Sequence, residues 1–334
     1  MPTEDQVRES LGEVLVPGAA RSLRGLNLVR QIAISDEKVD ISLASAALSE
    51  SSQDWIKAKV SEVVKRLPEV KDVATDFVAA RPKDINQIAN VIAVMSGKGG
   101  VGKSLVSGLT GLSLARAGHE VGILDADITG PSIPRMFGIT TRPMGSDSGI
   151  LPVLSRMGIE IMSINLLLEH EDDAVIWRGP LIGNTIKQFW EDVLWGRLDY
   201  LVVDLPPGTA DASLTVMQSL PLSGVIIVFS PQELAAMVVR KAVNMAQKMN
   251  IPILGVVENM SYFVLPETGK KLELFGKSKA DEMARAAEAP LLGQIPIDPE
   301  LAQLCDAGDI ERYDSDVVEA FADALSQAVA ARAS

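Results

Sequence analysis

The sequence predicts an α/β protein in which a small α/β domain, residues 1–82, precedes a larger doubly wound and mostly parallel sheet, residues 88–334. Three observations carry that expectation. From Val91 onward, short apolar runs alternate with stretches of helical periodicity, the pattern of a parallel sheet covered on both faces. A glycine-rich turn joins the first of those runs to the helix after it. Ahead of both, the order helix, strand, strand, helix, strand reads as a unit of its own.

Residues 4–15 are expected to be helical because Val7, Leu11, Val14 and Leu15 share one face. The runs at 28–34 and 38–43 alternate apolar and polar residues around the turn Ser35-Asp36-Glu37, as paired strands do. Ile56, Val60, Val63, Val64 and Leu67 mark a second amphipathic helix at 55–67, and Val70-Lys71-Asp72-Val73 leads into a last strand. The polar break Arg81-Pro82-Lys83-Asp84 places the linker.

The larger domain has candidate strands at 91–95, 120–124, 159–164, 200–203, 224–229 and 253–257. In such a sheet, functional groups gather in the loops beyond the strands' carboxyl ends. The first of these loops reads Gly97-Lys98-Gly99-Gly100-Val101-Gly102-Lys103-Ser104 and fits the phosphate-loop pattern G-x-x-x-x-G-K-[ST]. Glycines let successive backbone N–H groups turn toward phosphate oxygens, and the helix starting near Gly102 aims its positive end at the same charge. Lys103 is expected to reach the β- and γ-phosphates, and the Ser104 hydroxyl to ligate Mg²⁺.

The next strand ends in Asp125-Ala126-Asp127. Two carboxylates beside a phosphate loop suit the positioning of water or Mg²⁺, although Asp125 is equally suited to capping a turn. A further apolar strand ends in Asp204-Leu205-Pro206-Pro207-Gly208-Thr209. A carboxylate at the end of a buried strand holds Mg²⁺ directly or through water.

Composition narrows the classes. With 31 basic and 44 acidic side chains the net charge is −13, and no basic stripe stands out, which argues against nucleic-acid binding. No apolar run approaches the length of a membrane span, and the polar, acidic start lacks the features of a signal peptide. A cytoplasmic protein is expected. The single cysteine, Cys305, allows neither an intrachain disulfide nor a Cys-x-x-Cys motif.

Taken together the motifs resemble those of the Mrp/ApbC-type P-loop ATPases, the iron–sulfur cluster carriers of the MinD-like group. Lys98 after the first glycine gives the group's deviant Walker A. Asp125-Ala126-Asp127-Ile128-Thr129-Gly130-Pro131-Ser132 resembles its switch I, and Asp204-Leu205-Pro206-Pro207-Gly208-Thr209 its switch II. Ile176-Trp177-Arg178-Gly179-Pro180 and Trp195-Gly196-Arg197-Leu198-Asp199-Tyr200 are similar to two further segments.

The resemblance implies Mg²⁺-dependent hydrolysis of ATP at a homodimer interface. Lys98 would reach the partner's nucleotide, Asp127 would orient the attacking water, and Gly208 would donate its N–H toward the γ-phosphate. Asn259 would read the adenine edge, whose donor and acceptor suit an amide, and Pro296 belongs to a segment that packs over the base. No Asn-Lys-x-Asp guanine signature is present. The resemblance also implies a client, an iron–sulfur apoprotein. The small N-terminal domain is similar to the one joined to Mrp-type ATPases, but has Val16-Pro17-Gly18 where an Asp-Pro-Glu-like turn is usual and no cysteine in the loop after its second strand.

One departure bears on function. After Met260-Ser261-Tyr262-Phe263-Val264 the family carries Cys-x-x-Cys, so that two protomers supply four thiolates to a bridging cluster. Here Leu265 and Thr268 stand at those positions. Three readings follow: an ATPase acting in iron–sulfur cluster assembly or transfer; a nucleotide-switched binding or regulatory protein that carries no cluster of its own; and an inactive scaffold. Intact Lys98, Lys103, Ser104, Asp127 and Asp204 speak against the third. Cys305, following Leu301 and Leu304, is expected to be a buried thiol.

Overall fold

A computed structural model describes residues 1–127, 130, 132–167, 179–209, 211–232 and 235–333. Ile128, Thr129, Pro131, Ile176, Trp177 and Arg178, named above, lie outside the described residues. The chain divides into two compact units.

The first unit comprises Met1–Ile88 together with two later returns of the chain, Arg142–Leu154 and Gln188–Leu198. Its opening helix, Glu4–Ser10, carries a reciprocal cap in which Thr3 and Gln6 each accept the other's backbone N–H. That helix is shorter than the periodicity predicts. It gives way to a single tight turn, Leu11–Glu13, and Leu15 pairs with Ser22 in an antiparallel bridge as the chain reverses at Pro17-Gly18.

Val29–Ser35 and Lys38–Ala44 pair antiparallel, and Asp72–Val78 joins the second of them in parallel. Helix Glu50–Val64 buries Ile56, Val60, Val63 and Val64, spaced three and four apart on one face. Leu151 and Leu194 from the two returns are buried in the same core. A division of the chain at 82–88 leaves these returns out, because apolar contacts made across so many residues have no periodic signature.

The second unit is built on parallel strands. They lie in the order Leu291–Ile295, Ile253–Asn259, Gly224–Phe229, Gln87–Ser96, Arg197–Asp204, Val121–Asp125, Glu160–Ser163. Five of the neighbouring pairs have parallel register. Gly224–Phe229, Ile253–Asn259 and Val121–Asp125 are buried at every position, which is why they read as continuous apolar runs rather than alternating ones.

Leu291–Ile295, not among the strands expected from the sequence, is a strand paired with Ile253–Asn259. Leu292 fills the space over Gly255, where a Cβ would come within 2.4 Å of Leu292 Cγ. The first strand, Gln87–Ser96, lies between Gly224–Phe229 and Arg197–Asp204, so connections leave it toward both sides. Crevices at such a reversal, beyond the carboxyl ends, are where open α/β sheets bind ligands.

Candidate functional site

Seven strands deliver their last residues to one edge of the second unit's sheet: Ser96, Asp125, Ser163, Asp204, Phe229, Asn259 and Ile295. The loop after Ser96 is shaped by glycines that no other residue replaces. A Cβ on Gly97 would lie 2.3 Å from Val238 Cγ1 and 2.4 Å from the Val238 carbonyl oxygen. Gly100 and Gly102 adopt φ of +76° and +79°, the left-handed region. Helix Lys103–Arg116 starts directly afterwards, and no side chain caps its first N–H groups. Such uncapped donors form an anion site. Gly99, Gly102, Lys103, Ser104, Asp127 and Pro207 are among the walls of a pocket of about 320 Å³.

The chemistry of that pocket is set by one buried ammonium among carboxylates. Lys103 is only 5% exposed, and its Nζ lies 2.7 Å from Asp204 Oδ1 and 3.5 Å from Asp127 Oδ2. Asp204 is fully buried. It accepts from the Ser104 hydroxyl at 2.6 Å and from the Ser107 hydroxyl at 2.7 Å. Asp125 is also fully buried, and that burial pushes its carboxyl well above the usual carboxylate range. Asp204 and Asp127 push it the same way, while Lys103 opposes them.

Asp125 accepts hydrogen bonds from the backbone N–H groups of Asp127 and Ile133 and from the Ser163 hydroxyl, at 3.2–3.3 Å. It thus caps the turn that presents Asp127. The donor set at Ser104 and Asp204 is all oxygen, as Mg²⁺ requires. Among the described residues no three His, Cys, Asp or Glu side chains are arranged to hold a metal by themselves. Mg²⁺ at a phosphate loop needs no such cage, since it keeps waters and takes phosphate oxygens as ligands.

Lys98 is half-buried, and its Nζ donates to Gln232 Oε1 of its own chain. Gly208, at φ +84°, donates its N–H to the Ser96 carbonyl at 3.1 Å rather than presenting it to the pocket. The Ser213 hydroxyl ties that turn down by bonding the carbonyls of Pro206 and Gly208. Asn259 is buried against the phosphate loop, its Nδ2 donating to the Val101 carbonyl at 2.9 Å. A Cβ on Gly102 would lie 2.0 Å from that same Nδ2. Its amide therefore buttresses the loop. Pro296 follows the edge strand and is half-buried; neither it nor Asn259 is among the residues lining the phosphate pocket.

Three contributors escaped the sequence reading. Ser107 lies one helical turn past Lys103 and bonds both the Lys103 carbonyl and Asp204. Gln232 partners Lys98. Glu258, fully buried, closes the apolar run of its strand one residue before Asn259, a carboxylate signal like that of Asp204. Cys305 is half-buried, and burial together with the neighbouring Asp306 pushes its thiol up to about 11. Leu265 and Thr268 belong to the tight turn of a small hairpin, closed by the Gly269 N–H donating to the Leu265 carbonyl at 2.8 Å. Neither side chain is a thiolate ligand.

Among the described residues no helix is long and apolar enough to cross a membrane. A family model described as the NUBPL iron-transfer P-loop NTPase matches residues 87–330, and one described as an iron–sulfur cluster assembly protein matches residues 4–75. The chain is 47% identical over 234 residues to an iron–sulfur cluster carrier protein of Clostridium perfringens, covering 68% of this chain and 82% of that protein. It is 40% identical over 311 residues to one of Aquifex aeolicus, covering 83% and 85%.

A solved nucleotide-binding protein of Archaeoglobus fulgidus in complex with ADP superposes with a TM-score of 0.63 at 48% identity, over 70% of this chain and 91% of that one. The MinC:MinD cell division complex of Aquifex aeolicus, at 20% identity and a TM-score of 0.53 over 72% and 96%, shares the fold. From the phosphate loop to the last helix, this chain belongs to the NUBPL iron-transfer P-loop NTPase family.

Proposed function

We propose that the chain binds Mg²⁺-ATP and hydrolyses its β–γ phosphoanhydride bond in the cytoplasm, in the service of iron–sulfur cluster assembly or transfer. The observation that carries this reading is the convergence of Lys103, Ser104 and Asp127 on one pocket beside the glycine loop, with buried Asp204 bonded to Lys103 and Ser104. Lys103 supplies positive charge where the γ-phosphoryl becomes more negative, and Asp127 orients the attacking water. Mg²⁺ held by Ser104 and Asp204 would neutralise charge on the phosphate oxygens. Lys98 acts on the nucleotide of a second copy after leaving Gln232, so that turnover opens and closes a homodimer. The family membership and the names of the carrier relatives support the cluster role.

A second reading is favoured by the hairpin. With Leu265 and Thr268 where cluster-holding cysteines would stand, the output of hydrolysis is a change in what the chain binds, and the cluster is cargo of another protein. Steady-state ATP turnover tests the catalytic core of both readings. Asp127→Ala and Lys98→Ala are each expected to lower turnover about a hundredfold while circular dichroism stays unchanged. Wild-type turnover in both variants contradicts the assignment.

A further inference from the structure

Asp204 is held by three side chains, and they divide unequally between its two oxygens. Oδ2 accepts from the Ser104 hydroxyl at 2.6 Å. Oδ1 accepts from two donors, Lys103 Nζ and the Ser107 hydroxyl, each at 2.7 Å. Asp204 and Ser107 are both fully buried. Ser107 lies four residues after Lys103 in helix Lys103–Arg116, which brings both side chains to one face of it. Unlike Lys103 and Ser104, it is not among the residues that line the phosphate pocket.

The three donors respond differently to a nucleotide. Lys103 lines the pocket and Asp204 does not, so an ammonium drawn onto phosphate oxygens moves away from Oδ1. Ser104 can keep its bond, because a hydroxyl that donates its one hydrogen to Oδ2 still has lone pairs to turn toward Mg²⁺. Ser107 has no competing task. Its other acceptor, the Lys103 carbonyl at 3.1 Å, already takes the Ser107 backbone N–H within the helix. A buried carboxylate left without a donor costs far more than a carbonyl that keeps one of two bonds, so the hydroxyl hydrogen stays on Asp204.

We propose that Ser107 is the positioning residue that keeps Asp204 oriented for Mg²⁺ once Lys103 has moved to the nucleotide. Two hydroxyls then remain on the carboxylate, one on each oxygen, and together they fix its plane. Without Ser107 the carboxylate keeps one donor and turns about it, with Oδ1 a buried charged acceptor left unsatisfied. The defect belongs to the nucleotide-bound state, because in the nucleotide-free chain Lys103 still covers Oδ1. Ser107 acts through Asp204 rather than on the nucleotide. The proposal rests on the reading of this pocket as a Mg²⁺–nucleotide site.

The test uses the full chain with ADP and Mn²⁺, a cation that takes the same oxygen ligands as Mg²⁺ and whose paramagnetic resonance signal reports the free ion. Calorimetry first establishes ADP binding, and titration of the signal then gives the Mn²⁺ affinity of the ADP-loaded chain. Ser107→Ala is expected to weaken Mn²⁺ binding about tenfold, while Ser107→Thr, which keeps the hydroxyl, stays within about threefold of wild type. In ATP turnover the Ser107→Ala loss is expected in the KM for Mg²⁺, about tenfold, with kcat at saturating Mg²⁺ lowered less than about threefold. Should Ser107→Ala not fold, Ser107→Cys, close in size but a weak donor, takes its place with the same expected loss.

Wild-type Mn²⁺ affinity in Ser107→Ala overturns the proposal, and so does an equal loss in Ser107→Ala and Ser107→Thr. A lower urea midpoint of the nucleotide-free Ser107→Ala chain, with Mn²⁺ affinity unchanged, overturns it in favour of a role in packing alone. Each of these results leaves the nucleotide site standing. A wild type that binds no ADP, or binds ADP without taking up Mn²⁺, removes the reading of the pocket and the proposal with it.

Discussion

At the scale of single residues, the phosphate loop shows how much of a site is written in residue type. Gly97, Gly100, Gly102, Lys103 and Ser104 are legible because each is required by sterics or by charge; the last four line one pocket, and Gly97 packs against Val238. Gly97 makes the point testable. Its missing Cβ would meet the Val238 backbone oxygen at 2.4 Å, a neighbour that cannot rotate away. Gly97→Ala is therefore expected to destabilise the fold by about 2 kcal/mol in urea denaturation and to abolish ATP binding in calorimetry. Unchanged stability and affinity would mean that the loop is looser than described.

Direction is less legible than type. That the Asn259 amide turns toward Val101, and that Gly208 spends its N–H on Ser96, depend on how strands end beside one another. Cys305 offers a pH-dependent check. Burial and Asp306 raise its thiol to about 11, so the reactive thiolate is scarce at neutral pH and grows as pH rises toward that value. Its alkylation by iodoacetamide should accelerate about tenfold per pH unit from about pH 8 to 10 without levelling off. A plateau near pH 9 would show an ordinary exposed thiol.

At the scale of elements, strands buried on both faces announce themselves, and the runs ending in Asp125, Asp204 and Phe229 were legible for that reason. Leu291–Ile295 was not, because Gly293 and Gln294 break its apolar run and it pairs with only one neighbour in the sheet order. The Phe263–Val264 and Lys271–Leu272 ribbon is too short for periodicity to register at all. What holds that ribbon is the carboxylate of Glu258, with four donors converging on it. Glu258→Gln keeps the shape but replaces one acceptor oxygen by a donor, which then faces donors. Trypsin cleavage at Lys270 and Lys271 is expected to quicken about tenfold in this variant, since local opening exposes the ribbon first. Cleavage at the wild-type rate would remove Glu258 as the anchor.

At the scale of the whole molecule, the first unit draws in Arg142–Leu154 and Gln188–Leu198, an organisation that motif order conceals. Motif order alone separates a small domain from a larger one, and only packing shows Leu151 and Leu194 buried in the first core. The functional account depends on a comparable mismatch between what is kept and what is changed. The residues proposed to handle nucleotide, Lys98, Lys103, Ser104, Asp127 and Asp204, are all present, while Leu265 and Thr268 stand where the resemblance implies a pair of thiolates. The central claim is that ATP is handled here and the cluster is held elsewhere. Anaerobic reconstitution of the purified full chain with iron and sulfide, quantified per chain beside Cys305→Ala, tests it most directly. The account predicts iron and sulfide far below one cluster per two chains and no charge-transfer absorbance in either protein. A stoichiometric, stable cluster in the wild type would contradict it, and its loss in Cys305→Ala would name the thiol responsible.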